Sequence, residues 1–307
     1  AGIVVTVSAE RLGDELTRMF SSGYAGRALV LLEDTGLLNH VLPAVARLRG
    51  VPQPEAFHPE GDVLNHVRLM LESLDQTVRR SVDFAAALPA ADRATGEPCW
   101  VSGTKGEKDG WLCFPTAEQR EILAWATLLH DAGKPDTITY SDRIRFNCHD
   151  EKSAALAEEL LTRLRRPNRL IAPVAELVGR HMRFAHLANM RQAKLRRFLQ
   201  DPLFPLHLEL HRLDCVGSHR KLGCYRLGLA RWLEEKARPP EPEPLLTGRD
   251  LIAMGYRPGP RMGEILEAIG DARLEGELAT PDAARAWVRE RYPLESQDCP
   301  PGFGSMR

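Results

Sequence analysis

The chain carries a histidine and an aspartate side by side, His130 and Asp131, at the end of the apolar run EILAWATLLHD. An imidazole and a carboxylate at a helix terminus can reach one point in space, and divalent metals favour such mixed nitrogen and oxygen ligands. Gly133 follows and allows the chain to turn away, and Lys134 then supplies an ammonium group suited to phosphate. Isolated His-Asp pairs are common on protein surfaces. The pair at 130 and 131 therefore predicts a metal site only if further candidate ligands accompany it.

Further candidate ligands recur along the chain, each within or beside a segment with helical apolar periodicity. A spaced series of this kind is far harder to match by chance than one pair, so it indicates a shared site. Carboxylates and imidazoles suit Mg, Mn, Fe, Ni or Zn, and the sequence does not choose among these divalent ions. The additional candidates are His66, His149, His181 and Asp214.

The ordered series resembles the HD superfamily of metal-dependent phosphohydrolases, whose helical core gathers such ligands around one or two metals. The resemblance implies two metal positions that share Asp131. One would be completed by His66, His130 and Asp214, and the other by His149 and His181.

The resemblance also implies roles and substrates. Asp131 would be catalytic as the bridge between the metals, and Lys134 would neutralise charge on the phosphoryl oxygens. Members of the superfamily with this type of body hydrolyse 2′,3′-cyclic phosphates and 2′-phosphates. RNA ends or nucleotide phosphates are therefore the expected substrates.

Both ends of the chain resemble a second, overlapping family, the bacterial tRNA nucleotidyltransferases, which include CCA-adding enzymes and poly(A) polymerases. TGRDLIAMGYRPGPRMGEILEAI and LEGELATPDAA look like the end of such proteins, and VSAERLGDELTRMF with ALVLLEDTGLLNHVLPAV is similar to their neck. HPEGDVLNHVRLML and LLHDAGKPDT resemble the HD-bearing members. The Gly-Gly phrase and Asp-x-Asp strand of the family's catalytic head do not occur in this sequence. The resemblance thus implies neck, HD body and tail, which would not polymerise nucleotides by themselves.

Helical periodicity dominates and alternating strand patterns are scarce, which predicts an all-α fold. The Pro- and Glu-rich stretch ARPPEPEPLL is the best linker candidate. A polar, Gly-rich insertion loop, containing either a short hairpin or a lid, is expected within the HD body. The predicted boundaries are a helical neck at 1–50, the HD body at 51–236 with its insertion at 90–118, and a helical tail at 247–307.

The net charge of −1 predicts no general attraction to nucleic acid, so any RNA contact must be local. The basic clusters RLRRPNR and RQAKLRR are either solvated helix faces or RNA contacts, and the turn GYRPGP is a third candidate. An alternative function follows: a tRNA-binding body and tail for a nucleotidyltransferase head that is missing or separate. The candidate RNA-binding residues are Arg163, Arg165, Arg166, Arg196, Arg197 and Arg257.

The remaining histidines and cysteines carry weaker expectations. His40 lacks a companion at ligand spacing and is interpreted as structural. His58 either lines the pocket or, as its Pro-rich surroundings favour, has only a loop role. The six cysteines form no CxxC pair, and Cys148 and Cys215 are either ligands or, more often for such residues, small core side chains. No apolar run reaches membrane-spanning length and no signal peptide is recognisable, so a cytoplasmic location without membrane contact is expected.

Overall fold

The protein is described by a computed structural model over residues 7–87, 95–101, 110–239 and 244–294. Within these ranges it consists of helices and two short hairpins, which confirms the all-α prediction. None of the described helices is both long and apolar enough to cross a membrane. The α-helices are α1 Ala9–Ser21, α2 Ala25–Asp34, α3 Leu38–Val41, α4 Pro43–Ala46, α5 Val63–Ala87, α6 Ala117–Leu129, α7 Lys134–Thr137, α8 His149–Arg163, α9 Asn168–Gly179, α10 Gln192–Gln200, α11 Phe204–Gly217, α12 Gly223–Lys236, α13 Gly248–Ala253, α14 Pro260–Leu274 and α15 Pro281–Arg291, and a 3₁₀ helix spans His181–Asn189.

Two antiparallel hairpins interrupt the helices. Strand β1 (Cys99–Val101) pairs with β2 (Trp111–Cys113), and β3 (Ile138–Tyr140) pairs with β4 (Ile144–Phe146). The first hairpin lies in the predicted insertion at 90–118, of which residues 90–94 and 102–109 fall outside the described part. The second brings the chain from the His-Asp pair to the start of α8, where the next candidate ligand stands.

The chain forms two compact units whose limits differ from the predicted boundaries. One comprises Ala1–Ala188 with Pro202–Ala230, and the other Asn189–Asp201 with Arg231–Arg307. The neck is therefore part of the same unit as the metal-site helices, and α10 belongs with the tail. Proline content marks where the chain is irregular, but unit membership is set by which buried faces meet.

Packing between α1 and α6 shows why the neck is not separate. The indole nitrogen of Trp125 on α6 donates to the Thr17 hydroxyl of α1 at 3.0 Å, and both side chains are buried. The ring of Phe20 lies 6.1 Å from that of Trp125, centroid to centroid. An indole N–H buried in an apolar interface needs an acceptor, and the neck helix supplies it.

Helix α5 is the central element of the first unit. It packs against α2, α6 and α11, and its inner face is buried along its length. Asp75 on this helix accepts backbone N–H groups from Ala25 at 2.6 Å and Gly26 at 3.1 Å. Because the first amides of a helix lack intrahelical partners, this buried carboxylate fixes the start of α2 against α5.

The second unit has its own core. Leu251, Tyr256, Ile265 and Ile269 are buried together in a cluster that includes Val288 of α15. The Tyr256 hydroxyl donates to the carbonyl of Tyr292 at 2.6 Å, which satisfies the one polar atom of that ring.

Helix α6 delivers the His-Asp pair to the interior. It begins with a capping box between Thr116 and Gln119 and is buried from Ile122 to Leu129. The turn after it then passes very close to α8, where the Gly133 amide donates to the Ser153 hydroxyl at 2.8 Å. A β-carbon at Gly133 would lie 2.7 Å from the Ser153 amide nitrogen, so the approach requires glycine for space.

We predict that Gly133→Ala destabilises the protein by about 1–3 kcal/mol, because the added methyl group must push the turn away from α8. Chemical denaturation monitored by circular dichroism measures the change. Gly223→Ala is the matched control, since Gly223 is exposed and nothing lies within 4 Å of its virtual β-carbon. Equal stability of the two variants would show that the contact at Gly133 is not tight.

Candidate metal centre

The six residues predicted as ligands lie together in the first unit. They come from α5, the end of α6, the start of α8, the start of the 3₁₀ helix and the last turn of α11. Candidate ligand atoms within 4.8 Å of one another form two groups, His66 with His130 and Asp214, and Asp131 with His149 and His181. Helices distant in the sequence thus converge at one place.

Asp131 stands between the two groups. Its Oδ2 atom lies 3.1 Å from Nε2 of His130 and 4.0 Å from Nε2 of His66. Its Oδ1 atom lies 3.4 Å from Nε2 of His149, which is 3.2 Å from Nε2 of His181. One carboxylate therefore directs an oxygen to each group, an arrangement suited to bridging two cations.

Three of the imidazoles are oriented by the same local hydrogen bond. The Nδ1 atoms of His130, His149 and His181 donate to the carbonyl three residues earlier, at 3.0, 2.7 and 2.7 Å. A carbonyl can only accept, so the proton is on Nδ1 and the lone pair is on Nε2. Backbone carbonyls of this kind commonly fix the tautomer of metal-binding histidines.

His66 is oriented by Glu60, in the loop before its helix, and by Gly217, 151 residues away in the chain. Its Nδ1 atom lies 2.8 Å from Oε1 of Glu60 and 3.4 Å from the carbonyl of Gly217. Its Nε2 atom is buried and approaches Oδ1 of Asp214 to 3.1 Å, yet it has no hydrogen-bond partner. A buried nitrogen without a partner is costly, and a metal ion is a chemically suitable partner for it.

The charges of the centre also suit a cation. Asp131, Asp214 and Glu60 are three carboxylates, and among the described residues Lys134 is the one ammonium group in contact with them, with Nζ 2.7 Å from Oδ2 of Asp131. If the imidazoles are neutral, about two negative charges remain unbalanced in a buried site. A divalent ion would balance them, so the residues present fit such an ion.

The pKa values reflect these contacts. Burial opposes ionisation of Asp131, but the charges of His130 and Lys134 outweigh it and hold the pKa of Asp131 well below its ordinary value. Burial and the charge of His130 lower the pKa of His181 to about 4, which keeps that ring neutral as a ligand must be. Burial alone would lower the pKa of His66, but Asp214 and Glu60 raise it to about 9.

Lys134 is held inside the centre. It is 5% exposed, and Nζ donates to Oε1 of Gln53 at 2.6 Å in addition to its contact with Asp131. The ring of Phe146 lies 5.1 Å away, an additional cation–π contact. Two of the three N–H donors of the Lys134 ammonium group are therefore used within the protein. The sequence did not indicate these two contacts.

The loop between α4 and α5 contributes three residues to the centre: Gln53 and Glu60, which sequence reasoning missed, and His58, for which it favoured a loop role. Oε1 of Glu60 lies 2.8 Å from Nδ1 of both His58 and His66, and the two rings are 5.0 Å apart. The ends of the loop are joined by a hydrogen bond from the Val63 amide to the Val51 carbonyl at 3.1 Å. The one sequence feature that could have indicated these residues is the position of their loop, because it leads directly into the helix of His66.

Residues interpreted as secondary in the sequence lie outside the ligand groups. His40 is exposed, and Cys148 and Cys215 are free thiols, exposed and buried respectively. Neither cysteine belongs to a candidate ligand group within the part of the chain that the structure describes.

Most of the candidate RNA-binding arginines are engaged within the protein. Arg166 pairs with Asp14 and donates to the Glu10 carbonyl, and Arg163 donates to the Val41 carbonyl at 3.3 Å. In the second unit Arg196 pairs with Glu235 at 2.8 Å, and Arg197 with Glu267 and Asp271. Arg165 and Arg257 are exposed. Three of the six candidate arginines, Arg166, Arg196 and Arg197, therefore form ion pairs within the protein, a feature that sequence charge counts cannot show.

Four histidines and two aspartates gathered in a helical unit form the residue set of an HD domain, which gives the class of protein. A family profile for the HD domain matches residues 102–213, and a second, described as "Probable RNA and SrmB- binding site of polymerase A", matches residues 1–48. The HD match includes four of the six candidate ligands. The structure adds His66 and Asp214, which lie outside the matched range.

Comparison with known proteins gives the family. The chain is 34% identical over 291 residues to an A-adding tRNA nucleotidyltransferase of Deinococcus radiodurans, a match covering 91% of this chain and 58% of the relative. It is 32% identical over 292 residues to a CC-adding tRNA nucleotidyltransferase of Thermus thermophilus, covering 91% and 56%. A multifunctional CCA protein of Alkalilimnicola ehrlichii is 30% identical over 267 residues, covering 83% and 53%. The chain belongs to this tRNA nucleotidyltransferase family and spans little more than half the length of these relatives.

We predict that Glu60→Gln weakens divalent-metal affinity about 10–100-fold, the usual effect of removing a carboxylate that orients a metal-binding histidine. An amide in this position binds the His66 N–H less strongly and removes one negative charge. Metal titration calorimetry with Mn measures the affinity. Glu55→Gln changes an exposed residue of the same loop and is the control. If both variants bind Mn with equal affinity, Glu60 does not support the metal centre.

Proposed function

We propose that the HD centre is the active site of a metal-dependent phosphohydrolase that acts on RNA ends or nucleotides. The observation that carries the proposal is the convergence of four Nε2 atoms on two carboxylates, with every Nδ1 atom already engaged. An imidazole fixed in this way offers only its lone pair. Such a donor set serves metal binding better than proton transfer.

The proposal assigns a role to each side chain. His66, His130 and Asp214 hold one divalent ion, His149 and His181 complete the position of a second, and Asp131 is shared. A bound metal would lower the pKa of coordinated water, making hydroxide available near neutral pH. Lys134 neutralises charge on the phosphoryl oxygens and holds Asp131 in the orientation that serves both positions. Nitrogen and oxygen donors admit Mg, Mn, Ni, Fe or Zn.

The expected substrate class follows from the RNA-related features found in the same unit and in the relatives. The unit that holds the metal ligands also holds the segment matched by the RNA-binding family profile, and the relatives are named for tRNA. A 2′,3′-cyclic phosphate or a 2′-phosphate at an RNA end, or in a nucleotide, presents a phosphorus atom that such a centre can attack.

We expect Asp131→Ala to abolish hydrolysis of a 2′,3′-cyclic nucleotide and to lose more metal than His130→Ala does. Asp131 contributes both a charge and the shared ligand position, whereas His130 contributes one neutral donor. Lys134→Met should retain metal and lose about 10²–10³-fold in rate, because it removes electrostatic stabilisation without removing a ligand. Metal content by elemental analysis and hydrolysis with Mg, Mn, Ni and Zn in turn are the measurements.

His40→Ala is the matched control, since His40 is an exposed histidine of the same unit that belongs to no ligand group in the described part. It should keep wild-type metal content and activity. If Asp131→Ala also kept wild-type metal content and activity, the HD site would not be the catalytic site.

A second candidate function is a tRNA-binding body and tail for a nucleotidyltransferase head. The match at residues 1–48 and the names of the relatives favour it, and the chain covers only 53–58% of those relatives. Under this alternative the wild-type chain binds tRNA but hydrolyses none of the phosphate substrates with any of the metals.

We predict that the chain alone incorporates no labelled CTP or ATP into tRNA lacking its CCA end. Nucleotidyl transfer requires carboxylates that hold metal at the triphosphate, and the sequence contains no such pair beside a Gly-Gly phrase. Incubation with radiolabelled nucleotides and gel analysis tests this, with a full-length relative as positive control. Incorporation by the pure chain would contradict the assignment of its domains.

A further inference from the structure

Tyr24 is an exposed aromatic residue held in a fixed position. It precedes α2, and its side chain is 59% exposed. The guanidinium carbon of Arg79 on α5 lies 5.6 Å from the centre of the tyrosine ring, and Arg79 donates to the Gly23 carbonyl at 2.9 Å. The hydrogen bond holds the cation beside the ring, so the aromatic surface is ordered before any ligand binds.

The ring borders a cleft large enough for a nucleotide. The cleft has a volume of about 370 Å³, within the range of small-molecule sites, and it also contains Arg27, Glu72 and Asp75 in its lining. A single exposed aromatic residue on a surface is ordinary. A fixed ring beside a cleft and two cations is a more specific arrangement.

The carboxylates around the cleft are engaged mainly by other partners. Asp75 uses both carboxylate oxygens on the amides of α2, and Glu72 pairs with Arg68 at 2.6 Å. Among the described residues, Arg27 and Arg79 form no ion pair. In the two basic clusters, by contrast, Arg166, Arg196 and Arg197 each pair with a carboxylate.

We propose that Tyr24, Arg27 and Arg79 form a binding site for an unpaired RNA nucleotide. The base stacks on the exposed surface of the Tyr24 ring, and Arg27 binds a phosphate of the same strand. Single-stranded RNA is recognised by this combination of aromatic surface and guanidinium group. The inference rests on the RNA-directed part of the proposed function, and Tyr24 and Arg27 lie within the segment matched at residues 1–48.

The test measures binding of a short, unstructured, fluorescein-labelled RNA to the full chain by fluorescence anisotropy at several salt concentrations. Tyr24→Ala should weaken binding about five- to hundredfold with little change in salt dependence, because stacking releases no counterions. Tyr24→Phe keeps the stacking surface and should bind like the wild type. Arg27→Gln should reduce the slope of log K against log salt by about 0.7, the value for one phosphate contact on a single strand.

Tyr140→Ala is the matched control, since Tyr140 is an exposed tyrosine, at 71%, on the β3–β4 hairpin. The proposal is overturned if Tyr24→Ala binds RNA as tightly as Tyr140→Ala, or if the wild type binds no RNA at low salt. If Tyr24→Ala fails to fold, Arg27→Gln decides through its salt slope, since its side chain is exposed.

The result of the RNA-binding test can be distinguished from the result of the metal and hydrolysis tests. In the described part of the chain, neither Tyr24 nor Arg27 belongs to a group of candidate metal ligands, so their variants should keep wild-type metal content and hydrolysis of a small cyclic nucleotide. Absence of hydrolysis in every variant, combined with selective loss of RNA binding on Tyr24→Ala, would refute the hydrolase and retain the RNA site.

Discussion

The structure depends on placing the Asp131 carboxylate, which is 2% exposed, where its charge is compensated. A buried carboxylate is tolerated only with charged or hydrogen-bonding partners. Asp131 has both an ammonium group and imidazole rings as partners. Lys134 approaches one oxygen, and imidazoles from three helical segments surround the group. Helix α6, the Gly133 turn and α8 must therefore hold their positions together, because a shift of any one leaves a buried charge without a partner.

The same demand for compensation distributes the other charges. The arginines of the basic segments lie opposite carboxylates and backbone carbonyls, where they join α1 to the end of α8 and α10 to α14. Charge in these segments therefore serves architecture. The cations near Tyr24 differ because the neighbouring carboxylates are engaged by amides and by Arg68. Where the acidic partners are already occupied, a cation remains available for an external anion.

The helical class and the convergence of the ligands could be predicted, because both are encoded in periodicity and residue type. His66 and Asp214 were identified although they lie outside the matched HD range, since each stands on an apolar helical face. Glu60 and Gln53 could not be found this way, because loop residues have no periodicity, and the partner of Gln53, Lys134, is 81 residues away in the chain. The pairing of Arg166 with Asp14 spans 152 residues and was invisible for the same reason.

The histidines of the centre differ in how far away their orienting partners lie. His130, His149 and His181 are each set by a carbonyl three residues earlier, whereas His66 contacts both Glu60, six residues before it, and Gly217, 151 residues away. Local contacts form early in folding and distant ones late, because long loops cost entropy to close. The ring orientations of His149 and His181 are thus preset by short-range contacts. The group that needs His66 and Asp214 exists only once α5 and α11 have met, which makes that half of the centre a reporter of complete folding.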